Sequence, residues 1–153
     1  MRRVGPETAS LRVHTYREGA AARVGHDLVL EVTRWEASVE DGRIELTADP
    51  ASLEVIEGRG GVKPLTDGDR REIVKNIAKV LPREPITFRS TAVDGGAVEG
   101  ELTVGGVARP ISARLDENLR GSVALRHSDF GLRPYRGLMG ALKVRDDVEV
   151  VIS

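Results

Sequence analysis

The chain has 153 residues, of which 40% are hydrophobic and 31% charged, a composition that suits one folded domain. Its formal net charge of -1 creates no basic field for nucleic acid, so no nucleic-acid partner is predicted. The absence of cysteine excludes disulfides, thiolate catalysis and cysteine-ligated zinc.

The N-terminal segment shows no targeting signal. Arg2 and Arg3 are not followed by an apolar stretch, so no signal peptide is predicted. No segment approaches the ~18 apolar residues that a membrane helix requires. We therefore expect a cytoplasmic protein with no membrane span.

The first half of the chain alternates apolar and polar residues, which predicts β-strands. The apolar set is even-numbered from Leu28 to Val32 and odd-numbered from Trp35 to Val39, and such a change of parity predicts a bulge or a bend. The residues expected on inward faces here are Leu11, Val13, Leu28, Leu30, Val32, Trp35, Ala37, Val39, Ile44, Leu46, Leu53 and Val55.

One segment, LTDGDRREIVKNIAKVLP, has the spacing of an amphipathic helix. Its apolar positions are Ile73, Val74, Ile77, Val80 and Leu81. Thr66 or Asp67 is expected to cap the start of the helix, and Pro82 to end it.

Alternation resumes after this helix and brings the prediction to roughly eight strands. Gly105 and Gly106 form a tight-turn signal between two of them. The inward residues here include Ile86, Phe88, Leu102, Val104, Val123, Leu125, Val148, Val150 and Ile152. Many antiparallel strands with one helix predict a barrel or sandwich, and an aromatic content of only 3% favours a hollow interior.

Three histidines leave a metal site or an enzyme open as an alternative. His26, His127 and the nearby Asp129 could converge in a folded sheet, although their spacing matches no compact zinc motif. Asp129-Phe130-Gly131 also spells the magnesium-binding tripeptide of protein kinases, but the chain has neither the glycine-rich loop nor the catalytic-loop motif of that class. Phosphoryl transfer is therefore not predicted.

Residues 129–144, DFGLRPYRGLMGALKV, combine glycines with a high density of apolar side chains. Such a segment predicts a cover over something apolar, with Phe130, Leu138 and Met139 as its contact residues. Arg126, Arg133 and Arg136 could meet an anionic head group at its rim. An ordinary hairpin that packs on the protein's own core is the alternative.

Taken in order, several pieces of the sequence resemble the YceI-like family. They are Gly25-His26-Asp27-Leu28 with Trp35 after it, KPLTDGDRREIVKNIAKVL, PITFRST, GELTVGGVARPISARL, and SDFGLRPYRGLMGALKVRDDVEV. The resemblance extends from about Leu11 to Ile152. It implies a lipocalin-like, elongated antiparallel β-barrel with one helix, which binds isoprenoid or other amphiphilic lipid chains. The Gly-His-Asp-Leu form resembles a cytoplasmic branch of the family.

We therefore predict a single domain, residues 1–153, that binds, transports or stores an isoprenoid or other long-chain lipid without enzymatic activity, metal or cofactor. His26, Arg126 and Arg136 are predicted at the polar end of the ligand. The expected partners are an apolar or amphiphilic small molecule and a second copy of the chain in a homodimer. An interaction protein with a filled barrel is a further alternative. The predicted apolar contacts are Leu28, Leu30, Val32, Trp35, Ile44, Leu46, Phe88, Leu102, Val104, Val123, Leu125, Phe130, Leu138 and Met139.

Overall fold

Fourteen β-strands and one α-helix make up the computed structural model, which describes residues 1–153. The helix is α1 (Asp67–Val80). The strands are β1 (Arg2–Val4), β2 (Leu11–Thr15), β3 (Arg17–Glu18), β4 (Asp27–Val32), β5 (Trp35–Glu40), β6 (Arg43–Ala48), β7 (Leu53–Arg59), β8 (Ile86–Asp94), β9 (Ala97–Val104), β10 (Val107–Leu115), β11 (Gly121–Arg126), β12 (Arg136–Gly137), β13 (Leu142–Val144) and β14 (Asp147–Ile152).

Eleven of these strands form one antiparallel sheet that curls into a half-barrel. Their order is β1-β5-β6-β8-β9-β10-β11-β14-β2-β4-β7, with β1 and β7 at the edges. The short strands β12, β13 and β3 form a second sheet. The prediction of a lipocalin-like β-barrel with one helix is confirmed. The sequence predicted roughly eight strands; four of the fourteen observed strands have only two or three residues and are too short to show alternation.

The change of parity near Trp35 is a corner between two separate strands. β4 pairs with β2 and β7, whereas β5 pairs with β1 and β6, so the chain changes position in the sheet at Thr33 and Arg34. Ser52 holds this corner, because its carbonyl accepts the Thr33 N–H at 3.1 Å and its hydroxyl accepts the Arg34 N–H at 3.0 Å. Even-numbered apolar residues of β4 and odd-numbered apolar residues of β5 can therefore face the same interior.

Helix α1 begins at Asp67, and its N-cap is Thr66, one of the two residues that the sequence predicted for that position. The Thr66 hydroxyl accepts the Asp69 backbone N–H, and the Asp69 carboxylate accepts the Thr66 backbone N–H, which is a capping box. Ile73 and Ile77 pack against the core, but Val74 is 38% exposed and was wrongly placed on the apolar face. No helix in the structure has the length and apolar character needed to cross a membrane.

The helix also shields an edge of the sheet. It packs beside β7, and the Arg70 guanidinium donates a hydrogen bond of 3.1 Å to the backbone carbonyl of Val55. An edge strand with open carbonyls can pair with another chain, so this contact removes one such acceptor. The helix thus closes the side of the half-barrel next to β7.

Candidate functional site

A large apolar cavity occupies the inside of the curled sheet. Its volume is about 710 Å³, and 36 of its 50 lining residues are hydrophobic. Successive side chains on a strand point to opposite faces, so every second residue of the long strands reaches this interior. On β11, for example, Val123 and Leu125 line the cavity and Ala124 between them is exposed on the outer face. The cavity is large enough for a lipid-sized ligand, since known ligand pockets span ~300–1,000 Å³.

Thirteen of the residues proposed from the sequence lie on the wall of this cavity. Two of them, His26 and Arg126, are polar. The eleven apolar residues are Leu28, Leu30, Val32, Ile44, Leu46, Phe88, Leu102, Val104, Val123, Leu125 and Phe130. The structure thus brings together residues from five strands, from His26 just before β4 and from the turn at His127–Phe130.

Four of the proposed residues lie elsewhere. Trp35 is buried in the core cluster beside the Thr33-Arg34 corner, where its indole Nε1 has no hydrogen-bond partner, and it does not line the cavity. Leu138 is 60% exposed and Met139 is fully exposed, so neither covers the cavity. Arg136 is also exposed and absent from the wall. The last three lie at or next to the exposed tip of the hairpin formed by β12 and β13.

Other wall residues were missing from the sequence-based set. One face of α1 contributes Ile73, Ile77 and Val80, and β14 contributes Val148 and Val150. The alternation already predicts that these two strand residues face inward, so they could have been included among the predicted ligand contacts. The helix residues could not, since an amphipathic face shows that it packs on something but not that the space beneath is open.

The wall also includes nine charged, histidine or amide side chains, and we call the part of the wall that they form the mouth. They are Arg17, His26, Lys63, Asp69, Glu72, Asn76, Arg126, His127 and Lys143. Arg17 is already engaged, since it donates to the carbonyls of Gly25 at 2.6 Å and Arg59 at 3.1 Å. Lys63, Arg126 and Lys143 take part in none of the seven ion pairs of the structure. The mouth therefore offers three cations without a carboxylate partner.

Asp69 is the acid at the mouth with a perturbed titration. Hydrogen bonds from the Thr66 backbone N–H, and then from the Thr66 hydroxyl, lower the pKa of the Asp69 carboxyl below its usual range. The hydrogen bonds of the helix cap thus favour the ionised form of the Asp69 side chain. A ligand head group at the mouth would meet Asp69 as a carboxylate at neutral pH.

The histidines make separate structural contacts. His26 Nε2 lies 2.8 Å from the Lys63 carbonyl, which can only accept, so this nitrogen donates and ties the loop before α1 to β4. His127 Nδ1 donates in the same way to the Asp146 carbonyl at 2.8 Å. No group of three or more His, Asp or Glu residues has the geometry to hold a metal ion, and His26, His127 and Asp129 form no such group.

Comparisons with known proteins agree with this architecture. A family model described as YceI-like domain matches residues 7–153. The crystal structure of BcnA from Burkholderia cenocepacia superposes with a TM-score of 0.60 at 18% sequence identity, covering 98% of this chain and 99% of that one. A search of curated proteins finds no match. At 18% identity the structural likeness shows the fold alone.

Proposed function

The chain belongs to the YceI-like domain family, and on that premise we propose that it binds a long apolar chain, such as an isoprenoid or a fatty acyl compound, inside its barrel. Family members are barrels that bind lipids or polyisoprenoids, and they are generally binding proteins and not enzymes. We extend this to a role in transport or storage, carried out by residues 1–153 as one binding domain.

The observation that carries this proposal is the apolar cavity of about 710 Å³. Transfer of a lipid tail from water to such a wall gains ~0.8 kcal/mol for each buried CH₂ group, so binding requires no catalytic or covalent chemistry. The same observation disfavours the alternative of an interaction protein with a filled barrel. The lack of a metal-ligating group disfavours the alternative built on His26, His127 and Asp129.

We place the polar end of the ligand at the mouth. Arg126 and Lys143 line the cavity there without an ion-pair partner, and Lys63 lies on the loop that His26 holds. A head group that accepts hydrogen bonds, such as a carboxylate, phosphate or hydroxyl, would find donors at this point. The predicted role of Arg136 in head-group binding is not proposed again, since Arg136 lies off the cavity wall.

The test compares two tryptophan substitutions on adjacent residues of β11. Val123→Trp points into the cavity and should fill part of it, whereas Ala124→Trp lies on the exposed outer face. After removal of any co-purified lipid, both variants and the wild type would be titrated with a fluorescent long-chain fatty acid and a fluorescent isoprenoid. We expect Val123→Trp to weaken probe binding at least tenfold and Ala124→Trp to leave it unchanged.

Native mass spectrometry of the freshly purified protein provides an independent readout. A bound mass that extracts into organic solvent and is absent from Val123→Trp would support the proposal. Saturable binding of neither probe by the lipid-free wild type, together with no co-purified lipid, would refute it. Equal loss of binding in Val123→Trp and Ala124→Trp would point to misfolding. Circular dichroism would show whether the two variants are folded.

A further inference from the structure

The rim of the cavity carries most of the exposed large hydrophobic side chains of the molecule. Eight such residues are exposed in the whole chain. Val24, Val62 and Tyr135 line the cavity at its opening, and Leu138 and Met139 lie on the hairpin beside it. Five of the eight are therefore close to the cavity opening, whereas exposed apolar side chains are ordinarily scattered over the surface.

The hairpin of residues 136–144 projects from this rim. Its strands are β12 and β13, and its tip is the short turn Leu138–Gly140. The base is firmly attached, because Leu142, Lys143 and Val144 line the cavity and the Ala141 carbonyl accepts the Ala21 N–H at 2.8 Å. The exposed tip thus extends from a base that lines the cavity.

The tip adopts a conformation that ordinary residues rarely take. Leu138 has φ 50° and Met139 has φ 56°, both in the left-handed region that favours glycine. Met139 is fully exposed and Leu138 is 60% exposed, so burial in this molecule does not compensate for the strain. Strain at an exposed apolar tip is consistent with a contact outside the molecule.

The hairpin and its flanking residues carry an excess of positive charge. Residues 131–145 contain four cations and no acid, in a chain whose net charge is -1. Arg145 pairs with Asp147, but Arg133, Arg136 and Lys143 belong to no ion pair. Glu18, the cross-strand neighbour of Lys143, is the one acid on the adjoining strand.

We propose that this hairpin docks the protein on an anionic lipid bilayer surface, with Leu138 and Met139 inserted among the acyl chains and the cations on the head groups. Apolar side chains flanked by basic residues bind such interfaces through both burial and electrostatic attraction. Docking would bring the cavity opening against the bilayer. The inference goes beyond the proposed lipid-binding function, since docking requires only the outer surface of the hairpin.

The absence of cysteine from the chain makes a direct test possible. Met139→Cys and Val93→Cys each create a single site for an environment-sensitive fluorophore, with Val93 as the control because it is 41% exposed on β8 and does not line the cavity. Both labelled proteins would be mixed with vesicles of phosphatidylcholine alone or of phosphatidylcholine and phosphatidylglycerol. We expect a blue shift and intensity rise only at position 139, only with the anionic vesicles, and reduced by salt.

Vesicle flotation of unlabelled protein gives the second readout. Leu138→Ser with Met139→Ser should reduce the vesicle-bound fraction roughly tenfold or more, because two buried apolar side chains are lost. Arg133→Gln with Arg136→Gln should reduce it and flatten its salt dependence. Val123→Trp should dock like the wild type, which distinguishes failure of docking from failure of lipid binding.

Three results would overturn the proposal. The first is no flotation with either vesicle type. A second is fluorophore burial at position 139 without vesicles together with a doubled mass in solution, since a second copy would then cover the tip. The third is flotation in which position 93 and not position 139 enters the bilayer.

Discussion

At the residue scale, the turn before β14 depends on one carboxylate. Asp146 accepts hydrogen bonds from both the backbone N–H and the hydroxyl of Ser128, and its carbonyl accepts from His127. The Ser128 hydroxyl, more than any other neighbour, lowers the pKa of the Asp146 carboxyl below its ordinary value. This pair joins the turn that contains Phe130, a cavity wall residue, to the last strand.

The lowered pKa predicts a pH dependence with a definite sign. A carboxyl whose pKa is lower in the folded state contributes stability above its unfolded pKa of about 3.9, and this is lost as pH falls through the folded value. Asp146→Asn should therefore have a lower melting temperature than wild type at neutral pH, and the difference should shrink under acid. Circular dichroism melts from about pH 7 to about pH 2 measure it.

Asp129→Asn is the matched control for this measurement, since the Asp129 side chain makes no hydrogen bond or ion pair and only its carbonyl contacts Arg109. Its melting curve should follow wild type at every pH. If the melting temperatures of wild type and Asp146→Asn fall in parallel across the acid range, the carboxylate has no role in the stability of the turn.

At the scale of elements, the corner and the helix determine which surfaces enclose the cavity. The corner at Thr33 and Arg34 lets β4 and β5 occupy distant positions in one sheet while both face the interior. Helix α1 then closes the side next to β7 and contributes apolar residues to the wall. The start of this helix is fixed locally, by the capping box between Thr66 and Asp69.

Removal of that capping box should destabilise the protein measurably. Thr66→Ala leaves the Asp69 N–H without its acceptor, which costs about 1 kcal/mol in comparable helices. For a chain of this size such a loss corresponds to a melting temperature lower by ~2–4 °C. Lys75→Ala, on the exposed face of the same helix, should change stability by less than ~0.5 kcal/mol. Equal melting temperatures for Thr66→Ala and wild type would contradict the role of the cap.

At the scale of the whole molecule, the cavity gives the protein a large apolar surface that its own side chains do not cover. Several wall residues, including Leu46, Phe88 and Leu125, are only partly buried although they face the interior. An apolar chain bound in the cavity would add dispersion contacts to these side chains. Folding stability and ligand binding should consequently be linked.

Lipid loading should therefore raise the melting temperature. A ligand that binds only the folded state adds RT ln(1 + [L]/Kd), which is about 2.7 kcal/mol at a free concentration of about 100 Kd. Differential scanning calorimetry of the lipid-free protein with and without a saturating fatty acid measures this shift. Val123→Trp should show little increase, and an equal increase in both proteins would locate the binding outside the cavity.

The sequence by itself determined the local features and the family. Period-two alternation placed residues such as Leu30, Phe88 and Val123 on the inward face, because strand geometry fixes that period independently of the rest of the chain. The spacing of Ile73 and Ile77 and the cap at Thr66 identified the helix for the same reason. The family resemblance was recognised from several motifs that follow one another in a given order along the chain.

Only the tertiary structure decided where the interior is hollow and which apolar residues reach it. Trp35 shares its strand face with Ala37, yet it packs beside the corner and Ala37 lines the cavity. Leu138 and Met139 look like cover residues in the sequence but form an exposed tip. Filled cores, cavity walls and interaction tips use the same apolar side chains, so their roles depend on long-range packing that no local pattern encodes.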